Sequence, residues 1–251
     1  MAGETTSTER PIITMNAVVS RLGFWAAILT AVIAAVFFIA GIVTPPRSGP
    51  FAPAANVILY PYTDVAVFIP GDYLWLYPGI LLAPVFVILT VCVHSYARSD
   101  RKVFSHVAVS FAIIYATIIL IDYVTQFTVV IPSLLTNETA GLSLFTQYNP
   151  HGFFITFETL GYSMMSGAFL FIAAVFAGGR LERTLRWAFM VGVVAALVLF
   201  IILALLNYDL VAFEVTILTV NWIVLMVGGV LLSVMFWRAG RKGSTSIRAA
   251  D

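Results

Sequence analysis

Residues 22–43 form an uncharged, almost wholly apolar run. At ~1.5 Å per residue, a helix of that length crosses a hydrocarbon core of ~30 Å. The run exceeds the ~7–15 apolar residues of a signal peptide, so it reads as a retained first span, closed by Thr44-Pro45-Pro46. Five more runs follow, over 73–96, 104–130, 150–177, 186–206 and 211–237. A chain that is 61% hydrophobic and 10% charged cannot supply the polar surface of a soluble domain. The expected fold class is therefore an all-α integral membrane protein of six transmembrane helices. Residues 1–21 form an N-terminal tail, 22–237 the membrane domain and 238–251 a basic C-terminal tail.

Basic residues orient these spans. Twelve of the 13 Lys and Arg fall in the two tails and in the second and fourth loops; Arg47 alone lies on the other side. The positive-inside rule then predicts an N-in/C-in protein of the cell membrane with both termini cytoplasmic. In the N-terminal tail, Ile12, Met15 and Val19 offer a weak apolar face for a surface helix, and a frayed tail is the simpler expectation. The first outer loop, residues 45–72, is rich in Pro and Gly yet too apolar for a solvated linker. It is expected to rest on the membrane face as a lid or re-entrant segment. Tyr73, Trp75 and Tyr77 read as an interfacial belt, Pro78 and Pro84 predict a kink, and Pro132 is expected to stop the third span.

Three acids sit inside spans, where ionisable groups are costly and mark function by default. Asn149 and Pro150 suit an N-cap and a first helical position, so a helix starting there would carry His151, Glu158 and Tyr162 on one stripe. On the third span Asp122 is expected to pair with Gln126 at i+4, and on the sixth Glu214 and Asn221 share a face. Counted from the outer helix ends, all three acids lie in the outer half. Facing lipid would cost each ~2.5–3.5 kcal/mol, so the economical arrangement turns them inward together. The expected site is an outward-opening, acidic, aromatic-lined pocket under the 45–72 loop, with Asp122, Gln126, His151, Glu158, Tyr162, Glu214 and Asn221 as its ligand-binding residues.

Motifs of soluble enzymes are absent: there is no Gly-x-Ser-x-Gly, His-Glu-x-x-His, P-loop or dinucleotide fingerprint. Lys102 and Lys242 lie outside the spans, which excludes a retinal-type Schiff base, and the single Cys92 excludes an intrachain disulfide and a Cys-cluster metal site. The sequence calls for no metal and no cofactor. The near-neutral charge of +1 argues against nucleic acid. Membrane lipids are the expected partners, with a small cation, proton or lipophilic amine-like ligand, as in a transporter or sensor. No repeat relates the two halves of the chain, so a transport role would favour a homo-oligomer. One alternative is a membrane enzyme using Glu158 and His151 for acid–base chemistry on a lipophilic substrate. The other is an accessory subunit whose buried acids only join helices through hydrogen bonds.

Overall fold

The computed structural model describes residues 16–206 and 209–248, with side chains through 241 apart from a few near residue 205. Most of the N-terminal tail, including Ile12 and Met15, residues 207–208 of the last hairpin turn, and the final three residues lie outside this range. No strand occurs among the described residues. Eight helices do: α1 (Ala17–Val43), α2 (Leu76–Tyr96), α3 (Lys102–Thr125), α4 (Ile131–Thr136), α5 (Leu142–Phe145), α6 (Phe153–Val175), α7 (Arg180–Leu206) and α8 (Leu210–Arg248). Six helical stretches are long and apolar enough to span a membrane.

Several helix boundaries move outward from the sequence expectation, for local reasons. The Asn16 side chain accepts from the backbone N–H of Val18 at 2.9 Å and starts α1 five residues before the apolar run. Thr44, just before a proline, is extended and ends it. Residues 180–185, which precede the expected fifth span, form the first turns of α7, and α8 runs past Trp237 into the basic tail. In both cases a charged helical turn extends the helix beyond the apolar part.

Pro132 does not stop the third span. Proline clashes with the carbonyl four residues back and donates no hydrogen bond. The chain relieves this with a π-helical turn at Gln126–Val130, in which the Ile131 N–H reaches back to the Gln126 carbonyl. Helicity therefore continues through α4 to Asn137, whose left-handed backbone (φ 59°) caps it.

The spans close into a ring: α1 packs on α2, α2 on α3, α3 on α6, α6 on α7, α7 on α8 and α8 back on α1. Contact between α6 and α8 cuts across this ring and leaves α7 on the outside. Small residues bring the backbones close. A side chain at Gly229 of α8 would meet the Ala27 carbonyl of α1 at 2.7 Å, and one at Gly161 of α6 would meet Ile119 of α3 at 2.8 Å. Large apolar side chains such as Leu29, Val36, Leu197 and Ile201 point outward, as lipid-facing positions should. The buried centre is aromatic, built from Phe37, Phe86, Tyr115, Tyr123, Tyr162 and Phe169.

The two ends of the bundle differ. At one, Ser20 near the start of α1 donates to the Phe236 carbonyl of α8 at 2.8 Å, Tyr96 donates to Glu182 at 2.6 Å, and Arg101 donates to the Ala174 carbonyl at 2.7 Å. The opposite end holds the loop between α1 and α2, with short 3-10 turns at Ala54–Asn56, Asp64–Phe68 and Gly71–Tyr73, and Arg47.

Candidate functional site

At the Arg47 end, a cavity of 420 Å³ lies between α1, α6 and α8. Four parts of the chain build it. The last turn of α1 contributes Phe38, Gly41 and Ile42, and the following loop Pro45 to Ser48 and Phe51. Asp72 and Trp75 enter before α2, and Gln147 and Tyr148 before α6. The deeper wall is Phe154, Ile155 and Glu158 of α6 with Val211, Glu214, Val215, Leu218 and Trp222 of α8.

Glu158 is fully buried and Glu214 is 4% exposed. Both line the same cavity, Glu158 from α6 and Glu214 from α8. The Tyr123 hydroxyl on α3 donates to Oε1 of Glu158, while Oε2 has no hydrogen-bond partner. Behind Glu158 the network continues inward: the Tyr123 and Tyr162 hydroxyls are 3.5 Å apart, and Trp222 Nε1 donates to Tyr162 at 3.3 Å.

Of the seven residues singled out from sequence, Glu158 and Glu214 line this cavity. Asp122 is buried on α3 and does not line the cavity, and its Oδ2 is unpartnered. It makes no hydrogen bond to Gln126. The Gln126 amide donates instead to the Phe145 carbonyl at 2.8 Å. Tyr162 serves in the network just described. Asn221 bonds to Ser166 and to the Ile217 carbonyl, joining α8 to α6.

His151 is exposed and does not line the cavity. Helix α6 begins at Phe153 with Gly152 as its N-cap, because the Asn149 side chain accepts from the His151 N–H at 2.9 Å and closes a local turn. The expected stripe therefore loses its first member, and the Glu158–His151 acid–base pair is not assembled.

No family model matches the chain, and no characterised protein or solved structure shows significant similarity to it. Its chemistry must be read from the site alone.

The rim of the cavity holds groups that the sequence reading passed over. Arg47 pairs with Asp72 and stacks its guanidinium 3.4 Å over the Phe68 ring. Tyr148 donates to Asp72 Oδ2 at 3.1 Å, and Gln147 donates to the Asp72 carbonyl at 3.2 Å. Burial pushes the Tyr148 phenol well above its ordinary range, so it stays a neutral donor. The signal for this cluster was the lone outer cation, Arg47. Trp75 and Trp222 flank the acids, joined through Phe37 at centroid distances of 5.7 and 4.4 Å. Ile42, Phe51 and Val215, which are 67%, 51% and 38% exposed, surround the mouth with apolar surface. Among the described residues, no group of three or more His, Cys, Asp or Glu side chains is placed to hold a metal ion.

Proposed function

We propose that this chain is a multi-pass protein of the cell membrane, with both termini cytoplasmic, that binds a lipophilic ligand bearing a protonated amine, as a transporter or sensor does. One observation carries this reading. Two carboxyl groups sit in an aromatic cavity where, among the described residues, the one cationic lining side chain, Arg47, is already paired with Asp72. An ammonium N–H would supply the missing partner to Glu158 Oε2, and Trp75 and Trp222 would favour the positive charge. The volume falls in the ~300–1,000 Å³ range of small-molecule sites. The apolar mouth suits a hydrocarbon tail arriving from the bilayer.

Equilibrium binding in lipid nanodiscs tests it, comparing a dimethylalkylamine with the alcohol of equal chain length. Saturable amine binding is expected, weakened at least ~10-fold (~1.4 kcal/mol) in Glu158→Gln and Glu214→Gln, with no saturable binding of the alcohol. Equal binding of amine and alcohol, or amine binding unchanged in both variants, would sink the proposal.

A further inference from the structure

Helix α7 carries its cations at one end. Arg180, Arg183 and Arg186 fall within its first two turns, at the end of the bundle opposite Arg47, and all three are exposed. At i, i+3 and i+6 they span ~9 Å along the axis, with Arg180 and Arg183 on one stripe and Arg186 beside it. Among the described residues, none of the three side chains makes an ion pair or a hydrogen bond. Glu182, the acid on the same turn, is engaged elsewhere. Tyr96 donates to its Oε1 at 2.6 Å, and the backbone N–H groups of Ala177 and Gly178 donate to its Oε2 at 3.0 and 2.6 Å. Its carboxylate closes the α6–α7 turn instead of pairing with the arginines.

This arrangement works against the helix. The positive end of a helix dipole favours anions, and like charges one turn apart repel. An anion lying across the three guanidiniums removes both costs, and each guanidinium offers a planar fork of N–H donors that matches phosphate oxygens. The rest of the stripe decides which phosphate. Trp187, one turn beyond Arg183, is 64% exposed, and Val191, Val194, Val198 and Ile201 continue the exposed stripe along the helix. Leu185 and Phe189, on the other face, are buried. The spanning part of α7 is only 22% buried, the least of the six, so this stripe meets hydrocarbon. Arginine beside an exposed indole marks headgroup depth, and the apolar positions below it run along acyl chains. A free phosphate would engage the arginines and leave the indole and the apolar stripe without a role.

We infer that the outer face at the start of α7 is a binding surface for an anionic phospholipid, with Arg180, Arg183 and Arg186 on its phosphate and Trp187 beside its chains. The surface is separate from the cavity at the Arg47 end and does not depend on what that cavity binds.

The experiment measures thermal unfolding of the detergent-purified full chain with added phosphatidylglycerol, phosphatidylcholine or inorganic phosphate. Phosphatidylglycerol at a hundredfold excess over its dissociation constant should raise the midpoint by roughly 5–10 °C. Phosphatidylcholine and inorganic phosphate should each raise it far less. R180Q/R183Q/R186Q should lose most of the rise. R21Q/R98Q/R238Q, which removes the same charge from other exposed positions at that end, should keep it. If the first triple variant does not fold, R180Q and R183Q singly should each lose about a third of the rise. An equal rise with phosphatidylcholine, or an undiminished rise without the three arginines, would overturn the surface. An equal loss in R21Q/R98Q/R238Q would replace it with diffuse charge attraction. A full response to inorganic phosphate would overturn the lipid assignment.

Discussion

Tyr123 on α3 donates its hydroxyl to Oε1 of Glu158 on α6, and both side chains are fully buried. The bond ties together two helices that pack along their length, and it aims the carboxyl group so that Oε2 remains without a partner. Tyr123→Phe removes the donor and leaves a buried carboxyl oxygen unsatisfied. A loss of about 1–3 kcal/mol is expected, read as a drop of roughly 2–4 °C in melting temperature per kcal/mol in detergent.

Glu158→Gln should behave differently. An amide has nearly the shape of the acid and still accepts from Tyr123. Stability should change by less than about 1 kcal/mol, whereas amine binding should fall because the amide cannot carry the opposing charge. A variant that melts far earlier yet binds the amine normally would make Glu158 a structural residue. Thermal unfolding and amine binding on the same sample separate the two outcomes.

The Arg47–Asp72 pair predicts non-additivity. The side chains are 14% and 8% exposed, so either single change strands a mostly buried charge. Arg47→Gln and Asp72→Asn should each cost about 1–3 kcal/mol, below the ~3–5 kcal/mol of a fully buried pair. The double variant should cost less than their sum by ~0.5–3 kcal/mol, which a thermal double-mutant cycle measures.

Gly79 on α2 faces the rings of Tyr123 and Phe37, and a side chain there would meet the Phe37 ring at 2.8 Å. Gly79→Ala should destabilise by about 1–3 kcal/mol through overpacking. It should also weaken amine binding, because Tyr123 can yield only by moving off Glu158. Retained stability together with unchanged binding would show that the aromatic cluster adjusts without disturbing the carboxyl group.

Sidedness follows from the distribution of Lys and Arg and has a direct check. Asn137 after α4 and Arg183 in the first turns of α7 are both exposed, at opposite ends of the bundle. Cysteines placed there in a Cys92→Ser background should react with an impermeant reagent from opposite faces, Asn137→Cys from outside. Labelling of both from one face would contradict the proposed orientation.

The six spans were legible because hydrocarbon forces every backbone polar group into helical bonding and every lipid-facing side chain to be apolar, and both demands are written locally in a run of residues. Glu158 and Glu214 were legible for the same reason, since a carboxyl group in such a run must be turned inward at any fold. Register was not. Gln126 leaves Asp122 because its amide finds the Phe145 carbonyl, and His151 leaves Glu158 because Asn149 closes a turn before the helix begins. Each depends on which hydrogen-bond partner a side chain finds, which composition and spacing do not rank. The joining of Arg47 to Asp72 and of Tyr123 to Glu158 depends on which helices become neighbours. That choice is made by complementary small and aromatic surfaces from distant parts of the chain, so only the tertiary structure decides it.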